Sequence, residues 1–459
     1  MSSTAPRTEP LYDVNELPPL KKAVPLGIQH VLAMFVGNVA PPVIVAGAIG
    51  AATGEAAFLV QVALLMAGVS TLLQALGVGP VGARLPVVQG TSFAFIAVAI
   101  PLAQNFGLSA VFGGALVAGV VQILLGTSLR WLRWLFPPLV SGVVVLVIGV
   151  SLLPAGINYA AGGVGADDFG APVHLALAGF VMLITVVINQ FTRGFSSAAA
   201  VLIGLILGYL VALPLGLVDF EPIAEASWVS LPMPLELGMT FPLTAVIGMS
   251  IVAIASSMET IGDLSAITRG GAGRDITHRE LSGGVMGDGV GTAIASLFGA
   301  MPNTSFSQNV GLVALTGVIS RYVVALGAGV LVLAGLLPKL GAAVATMPPA
   351  VLGGSAIIMF AMVASAGINM LASTMLTRRN QLIIALSIGL GLGLQAVPDA
   401  VAVFHEQVRL LLESGVVPAA VLAVVLNLVL PKSHPEEAGR IVAPATKTRT
   451  EPPAPEPGS

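Results

Sequence analysis

The sequence predicts an all-α integral membrane protein, with about fourteen transmembrane segments of roughly twenty residues each. They form two inverted seven-span repeats, whose third and tenth segments are short, half-helical and strand-containing. Three observations lead there: the composition, the spacing of apolar runs between prolines, glycines and arginines, and an internal repeat. Of the 459 residues, 56% are hydrophobic and 9% charged, with a mean hydropathy of +0.97, which excludes a soluble globular domain and requires many spans in a lipid bilayer. The chain contains no cysteine, so disulfides, thiol nucleophiles and thiolate metal sites fall away. A formal net charge of -3 gives no reason to expect a nucleic-acid partner.

Residues 1–24 are polar and lack the apolar core of a cleavable signal, so they are expected to be a tail, and the first span doubles as the insertion signal. Apolar runs then place spans near 26–47, 56–77, 86–101, 108–128, 135–155, 172–190 and 195–215. A second set lies near 241–266, 280–299, 303–316, 320–338, 346–371, 380–397 and 415–430. Beyond Pro431 the composition shifts to Pro, Glu, Thr and Lys, and 432–459 reads as a disordered tail.

Orientation follows from the basic residues, which are retained on the cytoplasmic side of short loops. Alternate loops carry Arg84, Arg130, Arg133, Arg193, Arg269, Arg274, Arg279, Arg321, Arg378 and Arg379, whereas the opposite loops carry only Lys339 and Arg409. Both termini are therefore expected in the cytoplasm. The long loop 216–240, with Asp219, Glu221, Glu225 and Glu236 and no basic residue, suits the outer side.

The halves repeat each other. Residues 137–158 align without gaps to 348–369, beginning at Pro137-Pro138 and Pro348-Pro349 and ending at Ala-Gly-Ile-Asn in both. A second anchor, Thr91-Ser92-Phe93 against Thr304-Ser305-Phe306, has an offset of 213 against 211 for the first. This reads as a tandem duplication. An odd number of spans per half turns the second half upside down, and inverted repeats place a substrate near the midplane where short or interrupted segments meet. The segments carrying the Thr-Ser-Phe anchors are those candidates, because unwound backbone at that depth is tolerated only beside a cavity.

Charge placed inside hydrocarbon costs at least a few kcal/mol and usually marks a proton or substrate path. Glu259 and Asp263 are four apart on one helix face, where like charges repel, so at least one carries a proton at times. The plainer reading is that the pair braces the end of a long span near Arg269. Asp288 lies among glycines in G-G-V-M-G-D-G-V-G, which allow close helix approach; it either takes part in the site or is a buried acid bonded to a neighbouring helix. Gln308-Asn309 present donor and acceptor side by side, a match for the edge of a purine or pyrimidine, although an interhelical amide bond is the commoner role. Gln29-His30 lie in the first span: His30 can relay protons or hold helices together. Phe93 and Phe95 can stack on a planar ligand or simply pack.

Together these residues resemble the nucleobase/ascorbate transporter family, over about 25–430. The likeness rests on Gln29-His30, on Q-G-T-S-F-A-F at 89–95, on E-T-I-G-D at 259–263, on the glycine-flanked Asp288, and on Q-N-V-G-L-V-A-L-T-G at 308–317, the family signature. The resemblance implies a core domain (25–130 plus 241–343) that binds substrate and a gate domain (131–216 plus 344–431) that dimerises. It also implies a homodimer in the bacterial inner (plasma) membrane, working by proton symport with the proton as coupling ion and no cofactor. By motif position, Glu259 would bind ring N–H groups and Gln308 would make the paired amide contact. Phe93, Phe306 and Ser307 would contribute backbone contacts or stacking, Asn309, Gln29 and Asp288 would support the site, and His30 and Asp263 would tune affinity and coupling. Uracil members tend to have Glu before the Asn and Arg after the Thr; Gln308 and Thr316-Gly317 resemble the xanthine and uric acid branch, with Val310 where many xanthine members have Asn. The expected function is proton-coupled import of an oxidised purine by an elevator-like movement. The alternatives are a uracil or other nucleobase symporter, or an anion exchanger of the same fold. No nucleophile–base motif or metal-ligand cluster accompanies the acids, so an enzyme is not expected.

Overall fold

A computed structural model describes residues 11–132 and 137–431. Residues 1–10 of the expected N-terminal tail, Arg133 and the expected C-terminal tail 432–459 lie outside the described residues. In order, the helices are α1 (Leu20–Ala48), α2 (Thr53–Leu76), α3 (Ile96–Phe106), α4 (Leu108–Leu132), α5 (Pro138–Ala160), α6 (Pro172–Phe191), α7 (Phe195–Ala198), α8 (Ala200–Ala212) and α9 (Glu221–Glu225). After them come α10 (Leu243–Gly270), α11 (His278–Leu297), α12 (Ser307–Thr316), α13 (Arg321–Gly335), α14 (Pro338–Ala345), α15 (Pro349–Ala372), α16 (Arg378–Ala396), α17 (Glu406–Glu413) and α18 (Val416–Val429). Strands β1 (Gln89–Thr91) and β2 (Asn303–Ser305) precede α3 and α12.

Every apolar run read from the sequence falls on a helix or on a strand followed by a helix. Among the described residues, seven helices qualify by length and apolarity to cross a membrane, and up to nine when two pairs bent by 81°, α13 with α14 and α17 with α18, each count as one. The count of about fourteen is thus not carried by whole helices. The third and tenth segments give half their length to strand and turn, and glycines and charged ends lower the apolarity of α11 and α16.

Local chemistry sets the boundaries. Proline occupies the first turn of α5, α6 and α15, where its missing N–H costs nothing. Gly107, at φ 78°, closes α3 and leads directly into α4. Thr277 and Glu280 form a capping box at the start of α11. Most arginines read as topology markers cap carbonyls or pair with acids: Arg321 donates to Ala75 and Leu76 carbonyls, Arg279 to Gly79 and Gly82, and Arg379 to Asn427 and Leu430. Lys339, alone in its loop among basic residues, donates to the carbonyl of Ile223 at 2.7 Å and lies 5.0 Å from the Trp228 ring, tying down the acidic 216–240 stretch.

Two groups of helices pack most broadly within themselves. In one, α2 lies against α13 and α14, α4 against α10 and α11, and α1 against α13; in the other, α5 lies along α15, α6 against α15 and α8, and α16 against α18. The α5–α15 pair is antiparallel and very close. A Cβ on Gly353 would stand 2.1 Å from the Ala160 nitrogen, one on Gly149 2.3 Å from Ala364, and Gly142 and Gly367 face Leu371 and Leu146 in the same way. Close backbone approach of this kind maximises dispersion contact where lipid supplies no hydrophobic drive. Residues 11–16, within the expected tail, are not loose: Leu11 donates to the Gly317 carbonyl, and Ile319 and Arg321 donate to the carbonyls of Tyr12 and Val14.

Candidate functional site

The candidate site forms where the two interrupted segments meet. β1 and β2 pair antiparallel, with Gln89 opposite Ser305, Gly90 opposite Thr304 and Thr91 opposite Asn303. Each strand is held by one buried hydroxyl that both donates and accepts. Thr71 of α2 donates to the Gln89 carbonyl and accepts from its N–H at 2.9 Å, and Thr292 of α11 does the same for Asn303, accepting at 3.1 Å. Asn38 of α1 accepts from the backbone and hydroxyl of Thr91, while Ser256 of α10 donates to Thr304 at 3.0 Å. Glycine at position 90 leaves room for the site: a Cβ there would lie 2.7 Å from the Phe306 ring and 2.6 Å from Met34, and those side chains would have to shift.

From this crossing the chain enters helix in both directions, through the 3₁₀ turn Phe93–Phe95 into α3 and directly into α12. The two N-termini line a cavity of about 160 Å³, room for one small ligand. Its walls are Thr91, Phe93 and Ala94 on one side, Thr304 to Gln308 on the other, Glu259 of α10, and apolar residues of α5 and α15 including Ile148 and Met362. Glu259 and Gln308 are partly exposed there and spend no hydrogen bond on the described protein. The cavity therefore offers an acid, an amide, helix N-terminal N–H groups and aromatic edges.

Behind it lies a polar network. Asp263, one turn past Glu259, accepts from Ser305 at 2.6 Å and from Ser307 at 2.7 Å. Asp288 is fully buried and accepts from Gln74 at 2.8 Å, from Gln89 at 2.7 Å and from Thr260. Asn309 donates to His30 Nδ1 at 3.1 Å and to the His30 carbonyl at 2.9 Å, fastening α12 to α1.

The Permease family (Xan_ur_permease) matches residues 21–400. The chain belongs to this family, the nucleobase/ascorbate transporters. It is 41% identical over 423 residues to a putative purine permease, CPE0397, of Clostridium perfringens, covering 92% of this chain and 93% of the relative. It is 39% identical to the xanthine permease of Bacillus subtilis, with 89% and 93% covered, and 36% identical to the uric acid transporter UacT of Escherichia coli, with 93% and 90% covered. Among solved structures, it resembles the transmembrane domain of a cyanobacterium bicarbonate transporter, BicA. The TM-score is 0.55 at 14% identity, with 91% of this chain and all of that chain covered; that likeness speaks for the fold alone. The chain is accordingly a multi-pass membrane transporter and not an enzyme.

Among the residues singled out from the permease's sequence, Glu259, Gln308, Phe93, Phe306 and Ser307 line the cavity. Asp263 reaches it through the wall hydroxyls of Ser305 and Ser307, and Asn309, His30 and Asp288 stand behind the wall. Gln29 lines nothing here and has no hydrogen bond among the described residues. Phe95, fully buried, belongs to the packed core. Sequence reasoning did not single out Asn38, Thr71, Gln74, Gln89, Thr260 and Thr292, which fix both strands and the acids. Each is a polar residue inside an apolar segment, and that placement was the available signal; Asn38 stands eight residues after His30, on the same face of α1.

Proposed function

We propose that this permease is a proton-coupled symporter that imports an oxidised purine, xanthine or uric acid, across the plasma membrane. One observation carries the reading: Glu259 and Gln308, whose side chains have no hydrogen-bond partner among the described residues, face one small cavity between two helix N-termini and the ring of Phe93. A carboxylate accepts ring N–H groups, an amide answers an adjacent N–H and C=O pair, and the aromatic edges flank a flat ring. The xanthine and uric acid relatives point to the same substrate class. Asp263, Asp288, His30, Asn309 and Gln29 are assigned to support and coupling, with Ser307 linking Asp263 to the cavity.

In this reading fourteen segments form two inverted repeats. Support comes from the paired strands, each clamped by a threonine of the long helix before it, Thr71 and Thr292. Further support comes from the α5–α15 contacts: the 211-residue offset converts Gly142 facing Leu371 into Gly353, whose antiparallel partner is Ala160. The core (25–130 plus 241–343) moves as an elevator against the gate (131–216 plus 344–431), which agrees with the two groups of broadly packed helices. The homodimer, the cytoplasmic termini and the inner-membrane location complete the proposal. A second reading, anion exchange, has the two converging helix N-termini in its favour and Glu259 against it.

The test is uptake of labelled xanthine in cells. Glu259→Gln abolishes accumulation while surface expression persists, and residual uptake loses its rise with falling external pH; undiminished, pH-dependent uptake refutes the central role of Glu259. Competition by neutral purines but not by sulfate or bicarbonate separates the two readings.

A further inference from the structure

A second cavity, of about 710 Å³, lies between α1 and α3 on one side and α5, α16 and α17 on the other. It is stacked on the Glu259 cavity along the same two helices. In the 3₁₀ turn before α3, Phe93 and Ala94 line the smaller cavity, and on α3 Ala97, Ile100 and Gln104 line the larger; on α5, Val145 and Ile148 give way one turn later to Ser151 and Leu152, then to Asn158. The larger cavity is amphipathic. Ser151 is buried with its hydroxyl unpartnered, the Asn158 amide has no partner among the described residues, and Gln395 donates to the Ser151 carbonyl at 3.0 Å.

Between the cavities lies one aromatic layer. Phe93 stands edge-on to Phe360 of α15, with centroids 5.5 Å apart and ring planes at 86°. Phe360 lines neither cavity and is fully buried. Along α5 its carbonyl lies against Gly149, next to Ile148 of the smaller cavity, and its ring against Gly156, next to Ala155 of the larger. On the opposite side of the small cavity, Ser307, Gly311 and Ala314 of α12 and Gly262 and Ala266 of α10 are exposed, and neither Gly262 nor Gly311 has a neighbour within reach of a Cβ. Of these, Ser307 also lines the small cavity, and of the Phe93–Phe360 pair Phe93 does.

We propose that the larger cavity is the outer entry chamber of the transport path, and that Phe360 is the gate-side half of a seal whose core-side half is Phe93. This rests on the transport reading for the word "outer". Phe93 belongs to the strand-linked unit with Glu259, and Phe360 to the α5–α15 pair, so relative motion of the two groups parts the rings and joins the cavities. A purine arriving in the chamber meets hydroxyl and amide groups that can replace part of its hydration before the seal opens.

The natural absence of cysteine allows a direct test by single-cysteine labelling in intact cells with a membrane-impermeant maleimide, in the cold and without substrate. Asn158→Cys should react from outside whether or not Phe360 is present. Ala366→Cys, in the small cavity, should react from outside at least ten-fold more slowly than Asn158→Cys, and Phe360→Ala should bring its rate to within about two-fold. Xanthine should slow the Ala366→Cys reaction in the Phe360→Ala background. Phe360→Leu serves if the alanine variant is poorly expressed, with an intermediate rate expected. An Ala366→Cys rate equal to that of Asn158→Cys with Phe360 intact, or unchanged by either substitution, overturns the seal. An Asn158→Cys that reacts only from inside overturns the chamber. Labelling as expected in a protein that takes up no purine leaves the seal standing and refutes the transport reading instead.

Discussion

Replacing Asp288 separates a bracing carboxylate from a proton-carrying one. Asp288 accepts from Gln74, Gln89 and Thr260 with no exposure to the cavity. In Asp288→Ala the Gln89 amide and the Thr260 hydroxyl lose this acceptor, whereas Gln74 keeps the Gly284 carbonyl at 2.7 Å. An orphaned buried donor costs about 1–3 kcal/mol, and interhelical hydrogen bonds inside membranes average about 0.6 kcal/mol. The two bounds place the loss at roughly 1–6 kcal/mol. Asp288→Asn keeps an acceptor oxygen for both glutamines, and its new N–H₂ can donate to Thr260, whose hydroxyl lies 3.3 Å from that of Thr304 and can turn toward it. The asparagine variant should therefore melt within about 1 kcal/mol of wild type, and the alanine variant clearly lower, by tryptophan fluorescence in detergent. Labelled xanthine uptake should survive in the asparagine variant. If asparagine melts as low as alanine, or folds fully yet abolishes uptake, the bracing account is refuted and the charge itself is needed.

Thr292→Val removes both hydroxyl bonds to the Asn303 backbone and leaves the Asn303 amide on Ser70, so purine affinity should fall several-fold, while Thr292→Ser restores it; equal binding in the two would show that β2 needs no clamp. Gly353→Ala forces a methyl to 2.1 Å from the Ala160 nitrogen, and the monodisperse fraction on size exclusion should drop sharply, whereas Gly179→Ala, with nothing in reach, should not change it. Gln308→Glu should reorder preference among bases in a competition panel with little change in abundance, and an unchanged ranking would make the amide structural. Lys339→Met removes the tie to the Ile223 carbonyl and the Trp228 ring, so proteolysis within 216–240 should quicken with melting altered by about 1 kcal/mol or less.

The helical segments were legible because each apolar run is punctuated by Pro, Gly or Arg, and Glu259, Asp263 and Asp288 because carboxylates stand out against hydrocarbon. The support for those acids was not. Gln74 and Asp288 are 214 residues apart, and neither a propensity nor a period links them. Gln89 was read as part of a motif and not as a ligand of an acid, since nothing local shows that its amide turns away from the cavity. Gln29 shows the converse: next to His30 in sequence, it lies about 100° away around α1 and does not line the cavity. The short α9, α14 and α17 pieces also escaped, because a single turn or two leaves no hydrophobic period to read.

The three-residue ladder between β1 and β2 sets a timetable for biogenesis. Gln89 leaves the ribosome long before Ser305, its partner, and at about 5–20 residues per second the delay is on the order of 10–40 s. Until then β1 has no partner strand to receive its backbone amides. Neither half is a self-sufficient module, and the ligand-facing centre is among the last parts of the molecule to mature.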